Sequence, residues 1–333
     1  MRAAWFEIFG SAADVLILGR QPKPVPADGE VLVRLASSGV NPSDVKKRMG
    51  SASDLLDGGL VIPHSDGAGV IEATGQGVSL DRVGERVWVY EAQYGRRLGS
   101  AAEYVALDSR RAVTLPGNTG FEVGACIGIP LMTAHRCVFA DGPVDGQTLV
   151  VTGGAGRVGY YAVQWASQAG ATVIATTSND EDADACSAAG AAQVVNHRSA
   201  TFAEDILAAN GGERIDRAID LEFGANLATW VAVMKTSGNI ATYGSAAIPE
   251  PKIPFFQMMY LDLNIRFVIV YAMPEAAKQH AIADIAAALA KERLTHRIAA
   301  NMPLDEITTA NEMIEQGSVR GAVVLTIDQA LLT

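Results

Sequence analysis

The spacing of apolar positions changes character near residue 119. Before that point the apolar runs are short and closely punctuated by Gly, Pro and Asp. Val31–Ala36 follows an Asp28-Gly29 turn, and Gly69–Ala73 and Arg86–Tyr90 have the same form, so each predicts a short strand. Beyond residue 119 apolar runs alternate with Ala-rich stretches of helical period. Strands are predicted at Leu149–Val151, Thr172–Ala175, Gln193–Val195, Ala218–Ile219 and Ile240–Tyr243, with helices over Arg157–Ala169 and Ala183–Ala189 that stop at Gly170 and Gly190. Strands that alternate with helices imply a parallel sheet with right-handed crossovers. Ile265–Val270 reads as one continuous apolar strand. A long Ala-rich helix after Pro274, a helix over Leu304–Ile314 and a strand over Ala322–Ile327 finish the chain.

Composition sharpens this pattern. At 333 residues the chain exceeds one ordinary core, and 33 glycines with 49% hydrophobic residues suit an α/β class. The formal net charge of −11 disfavours binding to a phosphate backbone, so no nucleic-acid partner is expected. The three cysteines, Cys126, Cys137 and Cys186, lack CxxC spacing and read as buried small hydrophobes. Neither a signal-peptide core nor a membrane span is evident, which predicts a cytoplasmic protein.

The strongest chemical signal lies directly after the strand at Leu149–Val151. Gly154, Gly156 and Gly159 fit GxGxxG, and Ala155, Arg157 and Val158 complete a turn that opens a helix. Such a turn brings backbone N–H groups and a helix N-terminus against a pyrophosphate. The next strand ends in Ala175-Thr176-Thr177-Ser178-Asn179, without the acid that binds ribose hydroxyls in NAD-specific folds. Thr176 and Ser178 can bond a 2′-phosphate, and His197 and Arg198 after the third strand add positive charge. NADPH is therefore the expected cofactor. Asp180, Glu181 and Asp182 lie a few residues on, where they suit the first turn of the next helix.

At larger scale the chain resembles the zinc-free, zeta-crystallin-like quinone oxidoreductases of the medium-chain dehydrogenase/reductase superfamily. The resemblance rests on Gly39-Val40-Asn41-Pro42, Pro63 to Glu72, Ala102-Glu103-Tyr104, Ile127-Gly128-Ile129-Pro130 with Thr133-Ala134, and Val195-Asn196-His197-Arg198. It implies a Rossmann doubly wound parallel sheet inserted into a mostly β, GroES-like catalytic domain. The implied segments are 1–119 (catalytic), 120–272 (nucleotide-binding) and 273–333 (return to the catalytic domain). It also implies a homodimer formed through an edge strand at Ile265–Val270. Zinc-dependent relatives have ligands where this chain has Asn41, Ser65 and Ile129, so no metal is expected.

Site roles follow from the same resemblance. Asn41 and Thr133 are expected at the nicotinamide and the reacting carbonyl. The turn from Gly154 to Gly159 is expected at the diphosphate, and Thr176, Ser178, His197 and Arg198 at the adenosine phosphate. Tyr243, Gly244 and Ser245 should touch adenine or ribose, and Val270 and Tyr271 should flank the nicotinamide. The implied reaction is hydride transfer from NADPH to a small quinone or enone. An enoyl-thioester reductase, a zinc alcohol dehydrogenase and a non-catalytic NADPH-binding protein are the alternatives. Many relatives carry Tyr where this chain has Lys46, so no single proton donor stands out. Lys46, Tyr90, Tyr94 and His135 are candidates, and the segment Ala92–Gly99 is a candidate wall of the acceptor pocket.

Overall fold

A computed structural model describes residues 1–332. The first part of the chain carries strands β1 (Arg2–Trp5), β2 (Ile17–Arg20), β3 (Glu30–Val40), β4 (Asp66–Thr74), β5 (Arg86–Val89), β6 (Tyr104–Asp108) and β7 (Ala112–Thr114). Short helices α1 (Ala12–Val15), α2 (Pro42–Lys46) and α3 (Phe121–Gly124) lie among them. Helix α4 (Gly128–Phe139) leads into a strict alternation: β8 (Thr148–Val151), α5 (Gly159–Gln168), β9 (Thr172–Thr177), α6 (Asp180–Ala188), β10 (Gln193–Asn196), α7 (Phe202–Ala209), β11 (Ile215–Asp220), α8 (Phe223–Val233), β12 (Met234–Thr242), α9 (Phe255–Tyr260) and β13 (Asn264–Phe267). Helix α10 (Glu275–Ala290), strand β14 (Ile298–Pro303), helix α11 (Ile307–Glu315) and strand β15 (Ala322–Thr326) complete it. No helix among the described residues is long and apolar enough to cross a membrane.

The chain forms two compact units, divided at Ile129/Pro130 and Ala281/Ile282. These points fall inside α4 and α10, later than the change of texture near residue 119 and the 272/273 boundary. The first unit is built from both chain ends. Its main sheet runs β14-β15-β3-β4-β5-β7, with β6 also on β3. Strand β3 is long and almost continuously buried because β4, β6 and β15 all pair with it. Val31, Val33 and Leu35 pack with Ile71, Val87, Val89 and Leu107 in one core cluster. Val40, Val323 and Leu325 pack in another with Ile307, Ala310 and Ile314, three α11 residues at helical spacing. The helix expected over Leu304–Ile314 is split, with a 3-10 turn over Leu304–Glu306 ahead of α11.

An unusual ion pair ties this unit together. Past α2 the chain continues through a π turn, Lys47–Ser51, which places Arg48 in the interior. The fully buried Arg48 guanidinium donates to the Gly10 carbonyl and to Glu315 at the end of α11. Glu315 also accepts from the Ala12 N–H at 3.2 Å.

The second unit holds a six-stranded parallel sheet in the order β10-β9-β8-β11-β12-β13. Counted within the unit this is 3-2-1-4-5-6, the order of dinucleotide-binding folds, whose direction reverses between β8 and β11. The crevice at the carboxyl ends of those two strands is where such folds bind ligand. One element differs from the apolar pattern. The strand expected over Ile265–Val270 ends at Phe267, and Val270 lies in a 3-10 turn, Val270–Ala272. Its partner β12 ends at Thr242, opposite Phe267, so the ladder has nothing further to bond to. Beyond it the Val268 N–H reaches back to the Thr242 carbonyl at 2.7 Å.

Candidate active site

The Gly-rich turn leaves β8 at the predicted crevice and enters α5 at Gly159, with Val158 as N-cap. The tight turn is made one residue earlier than the motif suggests: Gly153 has φ +60, and the Gly156 N–H bonds its carbonyl at 2.8 Å. Gly154 serves close packing, since a Cβ there would lie 2.8 Å from that of Ala175 and 2.9 Å from Cys186 Sγ. Gly159 lets the helix approach the turn, because its Cβ would stand 2.2 Å from the Gly153 carbonyl oxygen. Val158 stands at the N-cap of α5, where the positive end of the helix meets the crevice. Beneath the turn, Asp220 at the end of β11 accepts from Thr152 Oγ1 (2.9 Å), Asn226 Nδ2 (2.8 Å) and Trp230 Nε1 (2.6 Å). That hub fixes the β8 and β11 ends on either side of the crevice.

The expected cofactor residues divide by what their polar atoms already do. Thr176, expected at the adenosine phosphate, is completely buried, and its hydroxyl accepts from the Gly153 N–H at 3.1 Å. Its hydroxyl thus braces the turn. Ser178 follows the end of β9 and is half-buried, while His197 and Arg198 are exposed at the adjacent end of β10. The His197 N–H donates to the Thr177 carbonyl, which joins the two strand ends. Asp180, Glu181 and Asp182 form the first turn of α6, and Asn179 caps it by accepting from the Asp182 N–H at 2.9 Å. Tyr243, Gly244 and Ser245 sit past β12, where the Tyr243 N–H bonds the Asp220 carbonyl. The Ser245 hydroxyl accepts from Gly224 N–H and donates to the Ile248 carbonyl, so it braces α8. Val270 is buried, the Tyr271 carbonyl accepts from Lys278 Nζ at 3.3 Å, and Thr133 is buried within α4.

The first unit holds a dense buried polar cluster of its own, which the motifs show only in part. Asn41 caps α2, and Asp44 reaches back to its N–H at 2.9 Å. Asn41 Nδ2 donates to Asp66 Oδ2 at 2.8 Å, and the Ile129 N–H donates to the same oxygen at 2.9 Å. Asp66 thus gathers Asn41 and Ile129 around one carboxyl. His64 lies beside it with a positive φ of 74, held at both ring nitrogens by Ser38 Oγ (3.1 Å) and Asn311 Nδ2 (3.2 Å). Asn311 can only donate from that nitrogen, so His64 carries its proton on Nδ1 and donates to Ser38. Lys46, one of the four candidate proton donors, is exposed. Lys47 is the lysine that enters the cluster, with Nζ 3.0 Å from Ser65 Oγ and 2.8 Å from the Gln93 carbonyl. One sequence signal foreshadows this: Lys47 stands three residues after Asp44, on the same helical face.

Burial governs the protonation states here. It pushes the Asp66 carboxyl up to about 8, against the opposing effect of the bonds from Ile129 and Asn41. Burial also takes His64 down to about 4, and does the same to His296. A carboxyl raised in the folded state keeps its proton after the unfolded chain has lost it, so stability falls as pH rises from 3.8 to about 8. The two histidines act oppositely, but only up to 6.5, where the unfolded imidazole also loses its proton. Between pH 6.5 and 8 the Asp66 slope stands alone among them. It should cost about 2 kcal/mol across that window, and Asp66→Asn should remove the fall. Urea unfolding at the two pH values checks this; a wild-type stability that did not drop would contradict a protonated Asp66.

Comparison with known proteins places this geometry. The Zinc-binding dehydrogenase family profile matches residues 158–287, and the Alcohol dehydrogenase GroES-like domain profile matches residues 27–117. Human quinone oxidoreductase is 30% identical over 321 residues, 96% of this chain and 95% of that protein. The chain belongs to the quinone oxidoreductases of the medium-chain dehydrogenase/reductase superfamily. Among solved structures, a mycobacterial protein in complex with NADPH superposes with a TM-score of 0.87 at 26% identity, covering 98% of this chain and all of that one. The quinone oxidoreductase from Coxiella burnetii superposes at 0.84 with 25% identity, covering 98% and 99%. This quinone oxidoreductase family member is accordingly an oxidoreductase.

One profile description names zinc, and the residues here do not suit it. Structural and catalytic zinc sites use thiolates, imidazoles and carboxylates. At the corresponding positions this chain offers an amide (Asn41), a hydroxyl (Ser65) and a hydrocarbon (Ile129). The Lys47 ammonium, 3.0 Å from Ser65 Oγ, would repel a dication, and both nitrogens of His64 are already engaged.

Proposed function

We propose that the enzyme uses NADPH to reduce a quinone or another small α,β-unsaturated carbonyl compound, without zinc. The observation that carries the cofactor choice is the end of β9. It presents Ser178 and no acid, with Arg198 and His197 at the neighbouring strand end, and the acids that follow are taken up in the α6 first turn. A 2′-phosphate suits such cationic and hydroxyl groups, whereas a carboxylate there would repel it. The NADPH bound to the mycobacterial relative supports the same reading.

Bound NADPH supplies the hydride. The turn from Gly154 to Gly159 would hold the diphosphate at the entry to α5. Asn41 and Thr133 would contact the nicotinamide and the acceptor, and Tyr243, Gly244, Val270 and Tyr271 would line the cofactor through backbone and apolar atoms. Asp66 fixes the Asn41 amide in one orientation. Without a Lewis acid, hydride addition favours conjugated acceptors, where charge moves onto an oxygen that hydrogen-bond donors can hold. The three cysteines are buried, in keeping with a reducing compartment such as the cytoplasm. The test is NADPH oxidation against quinones, enones, alkenals, enoyl-CoA esters and saturated ketones, repeated with NADH. Turnover of quinones or enones with NADPH favoured is expected; turnover of saturated ketones alone, or none, would refute the reading.

The assembly we propose is a homodimer through the β13 edge. Phe267 is 70% exposed and Ile269 57%, and in the preceding α9 Phe255, Phe256 and Tyr260 are exposed at 64%, 68% and 79%. Apolar surface on an unpaired sheet edge calls for a covering partner. Light scattering should give a dimer, and Phe267→Glu should give a monomer; a monomeric wild type would exclude it.

A further inference from the structure

We propose that Lys47 is the proton donor of the reaction, delivering the proton from Nζ to the acceptor oxygen while Ser65 and the Gln93 carbonyl hold it in place. This rests on the reductase reading above and adds the group that completes the reduction.

The geometry is specific. The Lys47 side chain is only 12% exposed, yet its ammonium is held by three groups on three segments. Ser65 Oγ accepts at 3.0 Å, the Gln93 carbonyl accepts at 2.8 Å, and Asp44 Oδ1 lies at 3.4 Å. Ser65 in turn donates to Asp44 Oδ1 at 3.3 Å, which orients its lone pair toward the lysine. Asp44 also fixes the Asn41 N–H, and Asn41 is joined through Asp66 to Ile129. Lys47 therefore belongs to the same connected cluster as Asn41. Gln93 belongs to the segment expected to wall the acceptor, and its side chain donates to the Arg96 carbonyl at 2.9 Å, which folds that segment over the lysine.

The position on the helix explains why this lysine and not its neighbour enters. Residues 44 and 47 share a face at spacing i, i+3, and the π turn that begins at Lys47 keeps that face turned inward. Lys46 is on the opposite side, in solvent. The charged groups around Lys47 are Asp44 on its own helix, Asp66 and His64 from the approach to β4, and Arg48 beside it. Burial lowers the affinity of Lys47 for its proton, while Asp44 and Asp66 act the other way. A lowered lysine is a better acid near neutrality.

The chemistry balances. Hydride addition to the conjugated carbon leaves the electron pair on the acceptor oxygen. An O–H bond forms there as one Lys47 N–H bond breaks. The neutral amine then regains a proton from water. Ser65 and Gln93 are positioning residues in this scheme.

Lys47→Met and Lys47→Arg test it together. Loss of a general acid should lower kcat about 100-fold in Lys47→Met. Lys47→Arg keeps the charge but holds its proton too tightly to give it, so it should lose activity comparably. NADPH affinity, measured by fluorescence titration, should stay within about threefold in both. Wild-type kcat should fall at alkaline pH, and that limb should vanish in Lys47→Met. A readout independent of turnover is acylation of the cofactor-free protein by acetic anhydride across pH, read by peptide mapping. Lys47, once unfolding is excluded by circular dichroism, should titrate below the ordinary lysine value of 10.5. Full activity in Lys47→Arg with an unchanged alkaline limb would reduce Lys47 to an anchor, and near-normal kcat in Lys47→Met, or titration of Lys47 at the ordinary lysine value of 10.5, would overturn the proposal outright. A wild type that oxidises no NADPH with any quinone or enone would instead refute the reductase reading on which it stands.

Discussion

Gly159→Val should lose at least about 100-fold in NADPH affinity. The added Cβ would stand 2.2 Å from the Gly153 carbonyl oxygen and 3.1 Å from the Gly154 Cα, and both are backbone atoms. No rotamer relieves that overlap, so the turn must move away from α5. Hydrogen bonds to a charged partner contribute about 1.5–3 kcal/mol each, and losing two exceeds the roughly 2.8 kcal/mol that corresponds to 100-fold. The displaced turn also strains the second unit by about 1–3 kcal/mol. Fluorescence titration with NADPH, alongside circular dichroism, reads both effects. A folded variant that bound within tenfold of wild type would show that the diphosphate does not rest on this turn.

Glu315→Ala should destabilise the first unit by about 3–5 kcal/mol. The change leaves the Arg48 guanidinium fully buried without its carboxylate and frees the Ala12 N–H. The charge, not the packing, is the main cost. Arg48→Met combined with Glu315→Ala should therefore be more stable than Glu315→Ala alone, because no uncompensated charge remains. Urea unfolding of the three proteins decides it. A single variant within about 1 kcal/mol of wild type would mean that Arg48 finds another partner.

The nucleotide-binding half was largely readable because each buried parallel strand is a short apolar run closed by glycine or polar residues. Gly170 and Gly190 mark helix ends by their positive φ, as the pattern implied. What local pattern does not announce depends on partners distant in sequence. The apolar run after Asn264 outlasts the strand because β12 ends first, and its surplus apolar residues are exposed. Thr176 has the right chemistry for a phosphate, but the Gly153 N–H claims its hydroxyl. Lys46 aligns with the family tyrosine, yet the face that carries Asp44 turns inward and brings Lys47 instead. His64 and Asn311 are a buried pair 247 residues apart, and no local spacing announces them.

In the proposed reaction the hydride passes directly from NADPH to a conjugated acceptor, and the protein supplies the proton separately. The most direct test is the fate of deuterium from NADPH labelled at the transferring C4 position, with an enone as acceptor in ordinary water. The account predicts one deuterium at the β-carbon of the saturated product and none at the α-carbon, read by NMR. Deuterium lost to solvent, or found at the carbonyl carbon, would contradict it.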